Sequence, residues 1–324
     1  MVARLAARKS EPRKAAPVNW EKRRGGLARG TGEGFGAVPE LTNSSGGRLV
    51  YDDEGAGRPL LFLHGWATHA GFFAPQRDAL AREFRVISPD LAGHRRSAAG
   101  SQAPLTIERL ADDLLALCRH LDLRDAVAVG WSMGAMALWS ALLAGAEAHI
   151  SGQIIVDMSP RILNGPGWQL GLKGGSTGGS APGGPTGRTE KAMRANWAAV
   201  APRIARRLFA GGLEAERAGL RRWAEAQIAA ANGEAMARLW GSMLAQDYRP
   251  HLPRLGTPAL VVHGALSQLY ALGTAEFLAH SLPQARLCTF ARSGHAPHLE
   301  EPETFNRMVA DFARAVPGGH RHTA

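Results

Sequence analysis

The chain has 324 residues, two cysteines and a formal net charge of +10. This length suits one large α/β domain with an insertion, and two cysteines cannot form the disulfide framework of a small secreted domain. No apolar stretch approaches the roughly 18 residues that a membrane span needs, so we expect none.

The positive charge is concentrated at the start of the chain. Residues 1–30 contain nine Lys/Arg and two Glu, and the segment is rich in Ala, Gly and Pro without apolar periodicity. We expect residues 1–40 to form a disordered basic arm that is either inert or touches nucleic acid, a membrane surface or an acidic protein. No specific nucleic-acid partner is predicted. Because no signal-peptide pattern is seen, we expect a cytoplasmic protein.

Apolar runs of strand length alternate with helical patterns along most of the chain. Strands are predicted at 47–52, 59–63, 84–88, 126–130, 153–157, 258–263 and 285–290. Helices are predicted at 106–121, 133–145, 272–282 and 302–315. This alternation predicts the α/β class, with a mostly parallel central sheet and helices on both faces. Residues 41–159 and 251–318 are expected to form this core.

Residues 160–250 interrupt the alternation with helical stretches that carry four of the eight tryptophans. We interpret this segment as a helical cap inserted between two strands. Its tryptophans hold small helices together, line an apolar substrate pocket, or do both. Within the cap, residues 174–187 contain seven glycines, which predicts a flexible loop. The loop lacks the Lys-Ser/Thr of a phosphate loop, so nucleotide binding is not expected.

The most informative motif is Gly130-Trp131-Ser132-Met133-Gly134, which reads G-x-S-x-G. A strand pattern precedes it and a helix pattern follows, as required for a serine at a sharp strand-to-helix turn. The glycines leave room where a Cβ would clash, and the helix N-terminus favours negative charge developing beside the serine. Ser132 is therefore the predicted nucleophile, and the backbone N–H of Met133 is a predicted oxyanion donor.

A serine needs a base to accept its proton, and His295 is the candidate. It follows the strand at 285–290, on a loop at the sheet edge where ligands bind in open α/β folds. The neighbouring His298 leads into the last helix and is expected to be a surface or capping residue. The second oxyanion donor is expected to be the backbone N–H of Trp66, and His64 in the same turn is interpreted as structural.

Four motifs stand in a characteristic order: His64-Gly65-Trp66, Asp90-Leu91-Ala92-Gly93-His94-Arg95-Arg96-Ser97, the G-x-S-x-G run and Gly294-His295-Ala296-Pro297. Together they resemble the α/β-hydrolase fold superfamily over roughly residues 45–315. Three of them, H-G-W, G-W-S-x-G and H-A-P, are similar to the biotin-pathway pimeloyl-carrier-protein methyl ester esterases and related small carboxylesterases. The resemblance implies hydrolysis of an ester, small or carrier-bound, through an acyl-enzyme on Ser132.

The sequence departs from this family at the catalytic acid. The family usually places an aspartate in a G-x-x-D pattern after the strand that corresponds to 258–263. Here the pattern reads Gly264-Ala265-Leu266-Ser267, and a serine cannot supply the negative charge that stabilises an imidazolium. Asp157 ends the strand at 153–157, one strand after the nucleophile strand, and the resemblance implies that some members of the superfamily place their acid there. We therefore expect Asp157 to replace the missing acid and to lie about 2.6–3.2 Å from the His295 ring.

Other interpretations of the acid and of the function stay open. Asp157 could be a turn or cap residue, with Asp247 as the acid or with only a weak dyad supported by Ser267. A serine esterase is the first functional hypothesis. A C–C bond hydrolase or perhydrolase using the same site is the second, and a non-catalytic binding module is the third. No metal-ligand spacing or dinucleotide fingerprint is present, so no metal or cofactor is expected. The substrate's acyl chain and alcohol and the oligomeric state stay open.

Overall fold

The computed structural model describes residues 38–42, 46–97, 104–174, 185–213 and 215–318, with the backbone alone at 185–188. Residues 1–37 of the predicted basic arm lie outside the described residues, and Glu40 already begins a strand. Most of the glycine-rich segment 174–187 also lies outside them. Among the helices of the described segments, none is both long and apolar enough to cross a membrane.

A mostly parallel sheet lies at the centre of the described part of the chain. Its strands are β1 (Glu40–Thr42), β2 (Arg48–Glu54), β3 (Pro59–Leu63), β4 (Arg85–Pro89), β5 (Ala126–Trp131), β6 (Ile150–Val156), β7 (Ala259–Gly264) and β8 (Ala285–Phe290). They are arranged in the order β1-β2-β4-β3-β5-β6-β7-β8. β2 pairs antiparallel with β1 and with β4, whereas all other neighbours pair in parallel. The predicted fold class is confirmed.

The inner strands of the sheet are almost wholly buried, as their continuous apolar runs predict. Every residue of β5 and of β7 is buried. A parallel strand covered by helices on both faces needs no polar side, so it shows no alternation. At the sheet edge, β8 is only partly buried, which fits its mixture of polar and apolar residues.

Helices cover the sheet and join its strands. Their bounds are α1 (Ala74–Leu80), α2 (Ile107–His120), α3 (Met133–Leu143), α4 (Pro185–Ala195), α5 (Trp197–Leu208), α6 (Ala218–Ala229), α7 (Gly233–Ala245), α8 (Leu272–Ser281), α9 (Pro297–Glu300) and α10 (Pro302–Ala315). Helix α2 buries Leu110 and Leu114 on one face, and Thr106 caps it by accepting the backbone N–H of Arg109. The short elements β1, α1 and α9 were not predicted, because a few residues show no clear period.

Helices α4–α7 lie between β6 and β7, in the segment interpreted as a cap. Trp66, on the loop after β3, joins this segment to the core. Its ring packs against Trp197 of α5 and Trp240 of α7, with centroids 5.6 and 5.2 Å away. Its indole N–H donates to the carbonyl of Met236 at 2.9 Å. The cap therefore docks at the end of the sheet where the parallel strands finish.

Candidate active site

Ser132 sits at the turn between β5 and α3 in a strained backbone conformation, with φ 53° and ψ −119°. Such left-handed values are rare for a residue with a side chain and are found at functional sites. The flanking glycines are required by packing. A Cβ on Gly130 would lie 2.6 Å from the Cα of Ala135, and one on Gly134 would overlap the carbonyl of Leu63. The turn is therefore the sharp strand-to-helix elbow that the motif predicts.

Asp157 and His295 meet at the carboxyl end of the sheet, although 138 positions separate them in the chain. Asp157 follows β6 and His295 follows β8. His295 Nδ1 lies 2.7 Å from Asp157 Oδ2, and both residues are buried. This separation falls within the expected range and leaves the Nε2 atom of the ring for a second partner. Ser132 and His295 line the same cavity. The catalytic roles of these three residues remain predictions.

Two further side chains bind the carboxylate of Asp157. Ser267 Oγ donates to Oδ2 at 2.7 Å, and His263 Nδ1 lies 2.8 Å from Oδ1. An ionised carboxylate only accepts hydrogen bonds, so both imidazoles carry their proton on Nδ1. His263 was not predicted from the sequence, where its only signal is that it is a polar residue at the end of an apolar strand. The alternative acid, Asp247, instead pairs with Arg249 at 2.6 Å.

These donors keep Asp157 charged in a buried place. Burial alone would raise the pKa of the Asp157 carboxyl. The hydrogen bonds from His263 and His295, with the attraction of the two rings, outweigh burial and hold the pKa below its usual value. A fixed anion beside a histidine is what the imidazolium of a catalytic triad requires.

Trp131, inside the elbow motif, fixes the loop that carries His295. Its indole N–H donates to the His295 carbonyl at 2.8 Å. The packing around Trp131 also corrects the prediction for His298. His298 is not a surface residue, because it is fully buried with its ring centroid 4.5 Å from that of Trp131. Burial lowers the pKa of His298 well below its usual value, so its ring packs as a neutral aromatic group.

The predicted oxyanion donors belong to two segments next to Ser132, the start of α3 and the loop after β3. Met133 is the first residue of α3, where backbone N–H groups have no partner within the helix. Trp66 lines the same cavity as Ser132. The turn that carries Trp66 is held by His64, whose Nε2 accepts the backbone N–H of Leu91 at 2.8 Å. Burial lowers the pKa of His64 to about 4, so its ring is neutral near pH 7, as expected of a structural residue.

A cavity of about 450 Å³ opens beside Ser132 and His295. Its apolar lining includes Trp66, Ile162, Val200, Ile204, Trp240 and Met243. Trp240 thus serves both uses considered for the cap tryptophans, because it packs on Trp66 and lines the cavity. Arg203 and Arg207, one turn apart on α5, add positive charge to the lining. No group of His, Cys, Asp and Glu side chains in the described segments is arranged to hold a metal ion.

Comparisons with known proteins agree with this geometry. A model described as the alpha/beta hydrolase family matches residues 60–308. A pimeloyl-[acyl-carrier protein] methyl ester esterase from Vibrio vulnificus is 29% identical over 267 residues, which cover 82% of this chain and 98% of the relative. A thermophilic esterase from Thermogutta terrifontis is 25% identical with a TM-score of 0.74, covering 87% of this chain and 99% of that one. An esterase from Exiguobacterium antarcticum is 21% identical with a TM-score of 0.77, over 86% and 100% of the two chains.

Proposed function

Because the chain belongs to the alpha/beta hydrolase family, we propose that it is a serine hydrolase that cleaves carboxylic esters through an acyl-enzyme on Ser132. The observation that carries the proposal is the contact of 2.7 Å between His295 Nδ1 and Asp157 Oδ2, beside a serine at a strained elbow. The esterases among the relatives and structural neighbours support the same reaction class.

In this mechanism Ser132 Oγ attacks the ester carbonyl carbon while His295 accepts the hydroxyl proton. The carbonyl oxygen becomes an oxyanion that the backbone N–H groups of Met133 and Trp66 stabilise. When the intermediate collapses, the carbon–oxygen bond to the alcohol breaks and His295 returns the proton to the departing alcohol. Water then attacks the acyl-enzyme with His295 as base, which releases the acid and restores Ser132. Asp157 stabilises the imidazolium in both halves.

The cavity favours an ester with an apolar acyl chain. Its lining beside Ser132 is formed mainly by tryptophan and aliphatic side chains. Contact with an apolar acyl chain removes their surface from water, which favours binding. Within this class, we propose a methyl ester of a carrier-bound acyl chain as the specific substrate, as the name of the Vibrio relative suggests. The exposed guanidinium of Arg203 at the cavity suits a substrate attached to an acidic partner. That substrate would place the enzyme in biotin synthesis.

A C–C bond hydrolase or perhydrolase is the second candidate for the same site. It uses the same serine, histidine and acid, so the triad geometry does not separate it from an esterase. The names of the relatives and structural neighbours, which are esterases, favour ester hydrolysis as the first candidate. The non-catalytic alternative rested on the serine at position 267. The hydrogen bond between Asp157 and His295 argues against it.

A fluorophosphonate probe and a panel of esters test this proposal. We expect labelling on Ser132 and hydrolysis of p-nitrophenyl esters whose rate depends on acyl chain length. Ser132→Ala and His295→Ala should each abolish turnover, and the double variant should lose little more because the residues act as one unit. A methyl ester on a carrier protein, compared with the free acyl methyl ester, tests the specific substrate. Near-native turnover in either single variant would contradict the mechanism.

A further inference from the structure

Glu300 is a buried carboxylate that the proposed mechanism does not use. It is the last residue of the short helix α9, and its side chain has no exposed surface. A carboxylate in such a place is costly unless it is hydrogen-bonded. Its partners therefore indicate why this position carries a charge.

The two oxygens of Glu300 bind backbone groups from two different parts of the molecule. Oε2 accepts the N–H of Gly294 at 2.6 Å, directly before His295. Oε1 accepts the N–H of Ala210 at 2.7 Å, two residues after the end of cap helix α5. One side chain thus bonds both the loop of the proposed catalytic base and the end of a helix that lines the cavity.

The same two segments are in direct contact around Glu300. A Cβ on Gly294 would overlap the backbone of Phe209 and Ala210, so the cap end packs directly onto the histidine loop. Arg217, at the start of α6, adds a cation 3.5 Å from Oε1. Its guanidinium also donates to the carbonyl of Arg292 on the histidine loop, at 3.4 Å.

The two donors of this contact suit a carboxylate better than an amide. Both partners of the Glu300 oxygens are N–H donors, so the group must present two acceptors. A glutamine offers one acceptor, and its amide NH₂ would face the second donor. Burial raises the pKa of Glu300 to about 7, against the opposing effect of the N–H groups and Arg217.

We propose that Glu300 is a positioning residue that holds the His295 loop and the end of cap helix α5 in one fixed arrangement. The effect on catalysis rests on the proposed function, because it matters only if His295 is the base. The clamp itself, which we define as the two hydrogen bonds from Gly294 and Ala210 to Glu300, is a property of the fold and can be measured without activity.

The test compares Glu300→Gln with Glu303→Gln, the same chemical change at an exposed position on α10. Hydrogen exchange is followed in the peptides that contain Ala210 and Gly294, and fluorophosphonate labelling of Ser132 is timed. We expect Glu300→Gln to speed exchange in both peptides and to slow labelling roughly 10- to 100-fold, the loss expected for a reacting group displaced by about 1 Å. Glu303→Gln should match the wild type in both measurements.

The outcomes separate the clamp from the proposed function. Unchanged exchange in both peptides overturns the clamp. Faster exchange with wild-type labelling leaves a structural contact and overturns the positioning role. Faster exchange in a protein whose wild type is never labelled supports the clamp and contradicts the proposed function instead.

A second set of variants covers the case in which Glu300→Gln does not fold. Ala210→Pro removes the cap donor and places a ring Cδ on the same nitrogen, and the extended backbone of Phe209 before it, at φ −108° and ψ 166°, is compatible with a following proline. Ala210→Gly keeps the donor and is the matched control. We expect Ala210→Pro, but not Ala210→Gly, to speed exchange at Gly294 and to raise KM more than it lowers kcat. If Ala210→Pro speeds hydrogen exchange only near residue 210 and not at Gly294, the proposal that Glu300 holds the two segments together is wrong. Glu300→Asp, one methylene shorter, should fall between wild type and Glu300→Gln.

Discussion

The hydroxyl of Ser267 donates a hydrogen bond to the carboxylate of Asp157, with 2.7 Å between Oγ and Oδ2. The resemblance noted from the sequence implies that the catalytic aspartate would stand at position 267, and Asp157 is the acid proposed to replace it. The two positions therefore lie next to each other at the ends of neighbouring strands, β6 and β7. We therefore expect an aspartate at position 267 to reach the histidine as Asp157 does, whereas aspartates at both positions would bring two carboxylates together.

Asp157→Asn should keep the fold and lower kcat by roughly 10³–10⁴, as when the acid of a serine triad becomes an amide. The amide has no charge to stabilise the imidazolium, and it can favour the wrong tautomer of His295. Ser267→Ala removes one neutral donor and should cost far less. Steady-state kinetics on one p-nitrophenyl ester measure both, with circular dichroism to check the fold. The reverse ranking of the two variants would contradict Asp157 as the acid.

Exchanging the residues at positions 157 and 267 should move the catalytic acid from position 157 to position 267. Ser267→Asp alone should lower activity and stability, because one of two carboxylates so close must take up a proton. Adding Asp157→Ser to that variant should recover a substantial part of kcat, since one acid and one hydroxyl are present again. We compare the activity and the melting temperature of Ser267→Asp, Asp157→Ser and the double variant. A double variant no better than the worse single would show that the positions are not equivalent.

The sequence predicts the elbow and the strands well because their signals are local. The glycines around Ser132 are needed by atoms a few residues away, and buried strands appear as apolar runs. The roles of His263 and Glu300 could not be predicted this way, because they depend on contacts with residues more than 80 positions away in the chain. The prediction for His298 was wrong for the same reason. Two glutamates, Glu300 and Glu301, follow it closely in sequence, whereas Trp131 packs on it in space.

His263→Leu should impair the proposed catalytic role of Asp157, because it removes the hydrogen bond to Oδ1 of that carboxylate. Without this donor, Oδ1 of Asp157 is left buried without its hydrogen bond, which costs about 1–3 kcal/mol of folding stability and raises the pKa of Asp157. We expect kcat to fall, but less than in Asp157→Asn, and its decline toward acid to begin at a higher pH. His263→Asn keeps an N–H donor and should recover part of both losses. Equal pH profiles for His263→Leu and the wild type would refute the role of His263.

Glu300 should give the folding stability a distinct dependence on pH. Burial raises the pKa of its carboxyl from 4.5 to about 7 in the folded protein. Between these values the folded state holds a proton that the unfolded chain has lost, so stability falls as pH rises through this window. The loss amounts to about 3 kcal/mol once the pH exceeds the folded pKa. Arg217 is the cation that faces this carboxylate and limits the effect.

The stability of Glu300→Gln relative to the wild type isolates this effect. Burial lowers the pKa of His64 and of His69 to about 4, so their contribution to stability is gained as pH rises and opposes that of Glu300. These histidines are unchanged in Glu300→Gln, so they cancel when its unfolding free energy is subtracted from that of the wild type. Urea denaturation from pH 4.5 to 8 should show the variant becoming relatively more stable as pH rises, because glutamine does not ionise. Glu303→Gln should stay parallel to the wild type. A pH-independent difference for Glu300→Gln would mean that the carboxyl of Glu300 ionises with an ordinary pKa.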